Sequence, residues 1–273
     1  MLLQRVLTAI PLAIGIIWII LFQPSNVFFW LTMVIASLAA YEWAKLAGLK
    51  TAGQIVYLVL VCAIVWVIMN HAGRYMQLYV YAAVIWWFAI CLYLFKARPG
   101  KASSKLSPLK LLAGILVIPA AVFAMNAIHM QHNGAEWLLY GLVLVWVADS
   151  GAYFSGKRFG RNKLAPAISP GKTREGLYGA VAAVCIYSAI AAYYFGLDIP
   201  DTTRLLLLAV VLTLVSVAGD LYESVLKREH GVKDSGAILP GHGGILDRID
   251  SVLAAMPVFM VGRELLLQPV FNV

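Results

Sequence analysis

Runs of about 20 mainly apolar residues recur along the whole chain, and a segment of that length and character spans a bilayer as a helix. Inside lipid every backbone N–H and C=O needs a partner within the protein, which leaves helices and closed barrels as the available architectures. A barrel requires segments of about ten residues that alternate in polarity, whereas the runs here are continuously apolar. The 273-residue chain is 62% hydrophobic and 12% charged, with a mean hydropathy of +0.84, so it keeps little material for a soluble domain. The expectation is an all-α, polytopic integral membrane protein. Its transmembrane helices number about nine, over residues 6–22, 27–46, 54–70, 77–95, 111–130, 137–154, 176–196, 203–226 and 251–268.

The first run follows Arg5 and lacks a small-x-small cleavage pattern, which predicts a retained helix rather than a signal peptide. Orientation follows from loop charge, because Lys and Arg accumulate on the cytoplasmic side. A cytoplasmic N-terminus leaves only Arg74, Arg204 and Arg263 of the 21 lysines and arginines on the opposite side. The net charge of +8 is then topological, with some attraction to an anionic leaflet, and calls for no nucleic-acid partner. Cys62, Cys91 and Cys185 lie in apolar runs without ligand-spaced partners, which argues against a disulfide framework or a zinc site. No internal repeat supports an inverted-repeat transporter.

Against this background the segment Gly219–Ser251 stands apart, with Asp220, Glu223, Lys227, Arg228, Lys233, Asp234, Asp247, Arg248 and Asp250 in one stretch. Carboxylates that hold a metal, cations that hold phosphate and glycines that admit close backbone approach are the parts used in phosphoryl and nucleotidyl transfer. Asp220, Glu223, Ser224, Lys227 and Arg228 share one helical face; ion pairs such as Glu223 with Lys227 are the plain alternative. Mg²⁺ takes one or two carboxylates plus substrate phosphates. Asp220 and Asp247, from the two ends of the segment, are the preferred pair, with Asp149, Glu223 and Asp250 as ligands of a second ion or supports of the first. His242, between glycines, is open to three roles: base, phosphate donor or loop hydrogen-bonder.

Two further segments add to the set. Trp146, Asp149, Ser150 and Tyr153 fall on one face at the end of the sixth span, where an acid marks a site or pairs with Lys157 or Arg158. The stretch 169–176, SPGKTREG, ends like a P-loop, yet Pro166 stands where the first glycine belongs and no β-strand is expected before it. What remains is a turn carrying Lys172 and Arg174 ahead of a helix whose free N–H groups suit an anion.

Taken together these residues resemble the bacterial phosphatidate cytidylyltransferases, also called CDP-diglyceride synthases. The family signature is met at Ser224, Leu226, Lys227, Arg228, Lys233, Asp234, Gly236, Leu239, Pro240, His242, Gly243, Gly244, Ile245, Asp247, Arg248, Ile249 and Asp250. The resemblance implies that CTP and phosphatidate give CDP-diacylglycerol and pyrophosphate, with Mg²⁺ and commonly a second metal cation. It also implies a homodimer in the inner membrane with a cytoplasm-facing active site. By position, Asp220 and Asp247 would be the metal-site acids. Lys172, Arg174, Ser224, Lys227, Arg228, Lys233, His242 and Arg248 would meet CTP or lipid phosphate, with Lys172, Lys227 and Arg228 also catalytic. Residues 1–130 would form a packing and dimer scaffold, and 131–273 the catalytic region with cytoplasmic motif loops. The rivals are another CTP-dependent lipid transferase or kinase, an ion or metabolite transporter, and a silent scaffold.

Overall fold

The structure, a computed structural model, describes residues 2–70, 74–97, 103, 105–238 and 243–267. Nine helices follow one another among these residues: α1 (Leu2–Phe22), α2 (Ser25–Leu46), α3 (Thr51–Asn70), α4 (Arg74–Leu94), α5 (Pro108–His129), α6 (Gly134–Phe159), α7 (Arg174–Tyr194), α8 (Ile199–His230) and α9 (Leu246–Leu266). Each overlaps one of the nine apolar runs. Seven of them, α2 to α8, have the length and apolarity to cross a membrane. The described apolar stretch of α1 is shorter, and α9 opens on Asp247, Arg248 and Asp250, so length and composition alone do not make spans of these two. The chain is an all-α, polytopic membrane protein.

Local chemistry sets the helix ends. Asp198 caps α8 by accepting from the Asp201 N–H at 2.9 Å, and Gly231, left-handed at φ 79°, ends it. At about 1.5 Å per residue the 32 residues of α8 reach about 48 Å, longer than one perpendicular crossing of a hydrocarbon core of about 30 Å needs. Thr173 caps α7 through its Oγ1, which accepts from the Gly176 N–H at 3.1 Å. Pro108 opens α5, where its missing N–H costs nothing.

One apolar core runs through both halves of the chain, joining Trp43, Trp87, Val117, Leu138, Leu205 and Phe259. The outer surface is apolar as well: Val56, Ile85, Leu92, Ile186 and Tyr193 are all more than half exposed. A water-soluble protein would bury such residues, and in a bilayer they meet acyl chains. Tyr222 of α8 lies among the rings of Trp43, Trp86 and Trp87, with centroids 6.0–6.3 Å apart, which fastens α8 to α2 and α4.

One element differs from the sequence expectation. Residues 163–173 form an antiparallel hairpin, β1 (Lys163–Ala165) with β2 (Ser169–Thr173), registering Lys163 with Thr173 and Ala165 with Ser169. A strand therefore does lead into α7, although Gly171-Lys172-Thr173 lies within it rather than in a loop after it. The P-loop reading still fails, on Pro166 at the first glycine position and now on this placement of Gly171-Lys172-Thr173. The hairpin is held because Ile168 packs against Leu221 and Val225 of α8. The Glu175 carboxylate also accepts from the backbone N–H groups of Arg161 and Asn162 and from the Asn162 side chain, at 2.7–3.2 Å.

Candidate active site

The site begins where α8 and α9 come closest. At Gly219 an added Cβ would sit 2.6 Å from the Asp250 carbonyl oxygen and 2.9 Å from the Ala254 Cβ, so only glycine permits this approach. The contact brings Asp220 of α8 beside Asp250 of α9. Around them opens a polar cavity of about 440 Å³, lined by Val145, Trp146, Asp149, Asp220, Lys227, Asp234, Asp247, Arg248, Asp250, Ser251 and Val252. It lies at the end of the bundle that also carries the hairpin and the close of α2.

Two acids in the cavity are held in different ways. Asp247, at the start of α9, accepts through Oδ1 from Lys227 Nζ at 2.6 Å. Its Oδ2 accepts from the Gly244 N–H at 2.8 Å and from the Ser235 N–H and Oγ, both at 3.0 Å. Lys227 also forms an ion pair with the buried Glu223 one turn back, without a well-formed hydrogen bond at either Glu223 oxygen. Asp220 meets Lys172 Nζ of β2 at 2.7 Å through Oδ2, and Ser224 Oγ lies 3.4 Å from its Oδ1.

The start of α9 has no cap of its own, because Ile245 at the N-cap has no polar side chain. Glu42 of α2, 1% exposed, supplies the acceptor: it takes the Leu246 N–H at 2.9 Å, the Ile245 N–H at 3.2 Å and the Ser235 Oγ at 2.8 Å.

Of the residues singled out in the sequence, Asp149, Asp220, Asp247, Asp250, Lys227 and Arg248 line one cavity, and Lys172 reaches it through Asp220. Glu223 does not line it and instead pairs with Lys227; the plain helical ion pair is present, though buried. Arg174, Arg228 and Lys233 are exposed and off the lining. His242 lies outside the described residues, as do Leu239 and Pro240. Sequence reasoning gave no site role to Asp234 and missed Ser235 and Glu42. The one signal for Glu42 was a carboxylate near the end of an apolar run, which is costly unless it is paired.

The lining carries five carboxylates and two cations, an imbalance that draws further positive charge. Among the described residues no three acidic, His or Cys groups gather closely enough to chelate an ion alone. One or two carboxylates completed by substrate phosphates is the ordinary arrangement for Mg²⁺, and the residues present suit it.

A lipid-faced helical bundle with a cavity of acids and cations at one end defines a membrane-embedded enzyme for charged substrates. A family model described as the cytidylyltransferase family matches residues 3–266, and the chain belongs to that family. It is 40% identical to a phosphatidate cytidylyltransferase of Haemophilus influenzae over 95% of this chain and 97% of that protein. The figures for a phosphatidate cytidylyltransferase of Pseudomonas aeruginosa are 37%, 95% and 96%. A phosphatidate cytidylyltransferase of Bacillus subtilis is 47% identical over about half of each chain, 47% of this one and 48% of the other.

Proposed function

We propose that this chain transfers the cytidylyl group of CTP to phosphatidate, giving CDP-diacylglycerol and pyrophosphate, in the cavity that Asp220 and Asp247 share. The observation that carries the reading is that cavity itself: acids and cations from α6, α8 and α9 meet at one end of a bundle whose flanks are apolar. Phosphatidate keeps its acyl chains in lipid while its phosphate reaches a polar rim, where CTP arrives from water.

The phosphate of phosphatidate is already an anion, so its attack on the α-phosphorus of CTP needs no strong base. The new phosphorus–oxygen bond forms as the bond to the bridging oxygen breaks, and pyrophosphate leaves with that electron pair. The obstacle is repulsion between two anions. Lys172, Lys227 and Arg248 offset it from the cavity and its edge, and Arg174, Arg228 and Lys233 add positive charge around the mouth. Ser224 and His242 complete the group assigned to phosphate. Asp220 and Asp247 would hold Mg²⁺, with Asp149 and Asp250 available to a second cation. A cation held there would supply charge neutralisation for the triphosphate and for the departing pyrophosphate. Glu223, paired with Lys227, supports that lysine.

The same reading places the cavity on the cytoplasmic face of the inner membrane, with a cytoplasmic N-terminus and nine crossings. It assigns dimer packing to residues 1–130 and chemistry to 131–273. Purified full-length protein given Mg²⁺, phosphatidate and CTP labelled at either the α- or the γ-phosphate tests the reaction. Label from the α-phosphate is expected in the lipid product. Label from the γ-phosphate in lipid would instead identify a lipid kinase and overturn the proposal.

A further inference from the structure

Glu42 is a buried acid for which the reaction as written has no use. It lies near the end of α2, in the part of the chain read as scaffold, and is 1% exposed. A buried carboxylate is retained only when it is well paired, and among the described residues its three hydrogen-bond partners come from the segment 235–246. Two glycines press against it from that segment, since a Cβ on Gly236 or Gly244 would collide with the carboxyl group.

A capping role at α9 accounts for the bonds from Ile245 and Leu246, but not for Ser235. That residue is fully buried, and its Oγ stands 2.8 Å from Glu42 Oε2 and 3.0 Å from Asp247 Oδ2. A hydroxyl has one proton to donate, so the two carboxylates share a single donor. The orientation of Asp247 is thereby tied to a helix about 200 residues away in the chain. Such supports of a ligand carboxylate orient it, and their loss weakens the ion bound there.

We infer that Glu42 is a positioning residue for Asp247, acting through Ser235 and the start of α9. The inference rests on the reading of the cavity as the cytidylyl-transfer site.

The test uses full-length protein purified in detergent, carrying Glu42→Gln, Ser235→Ala, both together, or Asp247→Asn. Glu42→Gln is expected to lower kcat by about 10–100-fold and to raise the Mg²⁺ concentration giving half-maximal rate. The KM for phosphatidate should stay within about twofold, a split that general loosening of the fold would not produce. The rise in unfolding temperature that CTP with Mg²⁺ produces should shrink in the same variant. Ser235→Ala should act in the same direction, with the double variant little worse than Glu42→Gln.

Wild-type kcat and Mg²⁺ response in Glu42→Gln, or independent multiplying effects in the double variant, overturn the inference. Where Glu42→Gln does not accumulate as folded protein, Ser235→Ala decides, and an unchanged kcat and Mg²⁺ response there overturns it too. An inactive Asp247→Asn beside a fully active Glu42→Gln removes the positioning role alone. A fully active Asp247→Asn removes the site reading and the inference with it.

Discussion

Asp247 and Asp220 face the same cavity from two very different neighbourhoods. Asp247 is fixed by Lys227, the Gly244 N–H and both donors of Ser235, and Glu42 braces that segment from α2. Asp220 meets one ammonium, that of Lys172, carried by a short hairpin at the rim. Their surroundings differ in exposure too: the side chain of Asp220 is 33% exposed and that of Asp247 9%. One acid is built into the fold, while the other is held by a partly exposed ion pair. On the proposed reading this sets rigidity where charge must stay fixed beside an exchangeable pair where substrate enters, the arrangement by which a preorganised site avoids reorganising during reaction.

The largest effect that can break this comparison lies at Asp247. Asp247→Asn keeps the shape of the side chain and an acceptor for the Gly244 N–H, but removes the charge facing Lys227. Loss of several kcal/mol of charge stabilisation corresponds to a kcat lower by about 100–1000-fold, measured with labelled CTP. Membrane insertion and the helical circular-dichroism signal should be retained. Near wild-type turnover in the purified variant would remove Asp247 from the chemistry and leave its hydrogen bonds as loop packing alone.

A smaller and differently distributed effect is expected at Lys172. The pair with Asp220 is partly exposed, and such pairs contribute only about 0–1 kcal/mol to stability, so Lys172→Ala should unfold at nearly the wild-type temperature. Loss of one cation facing the triphosphate should raise the KM for CTP about tenfold, with less change in kcat. The reverse pattern, with a lower unfolding temperature and an unchanged KM, would make Lys172 a structural partner of Asp220 and erase the contrast between the two acids.

The contrast itself was only partly legible in the sequence. Helices announce themselves by composition, since in lipid an apolar run has one economical way to satisfy its backbone. The motif acids were legible because charge is conspicuous in a chain like this one. Partnership between helices was not legible. The Glu223–Lys227 pair was available from i, i+4 spacing alone, whereas the pairing of Lys227 with Asp247 exists only because α9 folds back against α8. Glu42 escaped because a helix cap supplied by another helix leaves no local pattern, unlike the cap that Thr173 provides for α7. The hairpin escaped for a related reason. Strands as short as Lys163–Ala165 carry no usable alternation, and Pro170 with Gly171 reads as a turn. What stabilises it is Ile168 against α8, a tertiary contact.

That hairpin supplies the finest test of the comparison. Glu175 fastens its base by accepting from Arg161 and Asn162, in the open and away from the cavity lining. Glu175→Gln keeps one acceptor oxygen, loses the charge and leaves Lys172 and Asp220 unchanged. If the hairpin matters only as the carrier of Lys172, the variant should raise the KM for CTP by about twofold and leave kcat alone, because a looser strand delivers the same ammonium less often. Faster proteolysis between 160 and 173 should accompany that shift, with cleavage elsewhere unaltered. A fall in kcat without a change in KM would mean that the hairpin shapes the reacting geometry, and Asp220 would then belong with Asp247 among the rigid parts of the site.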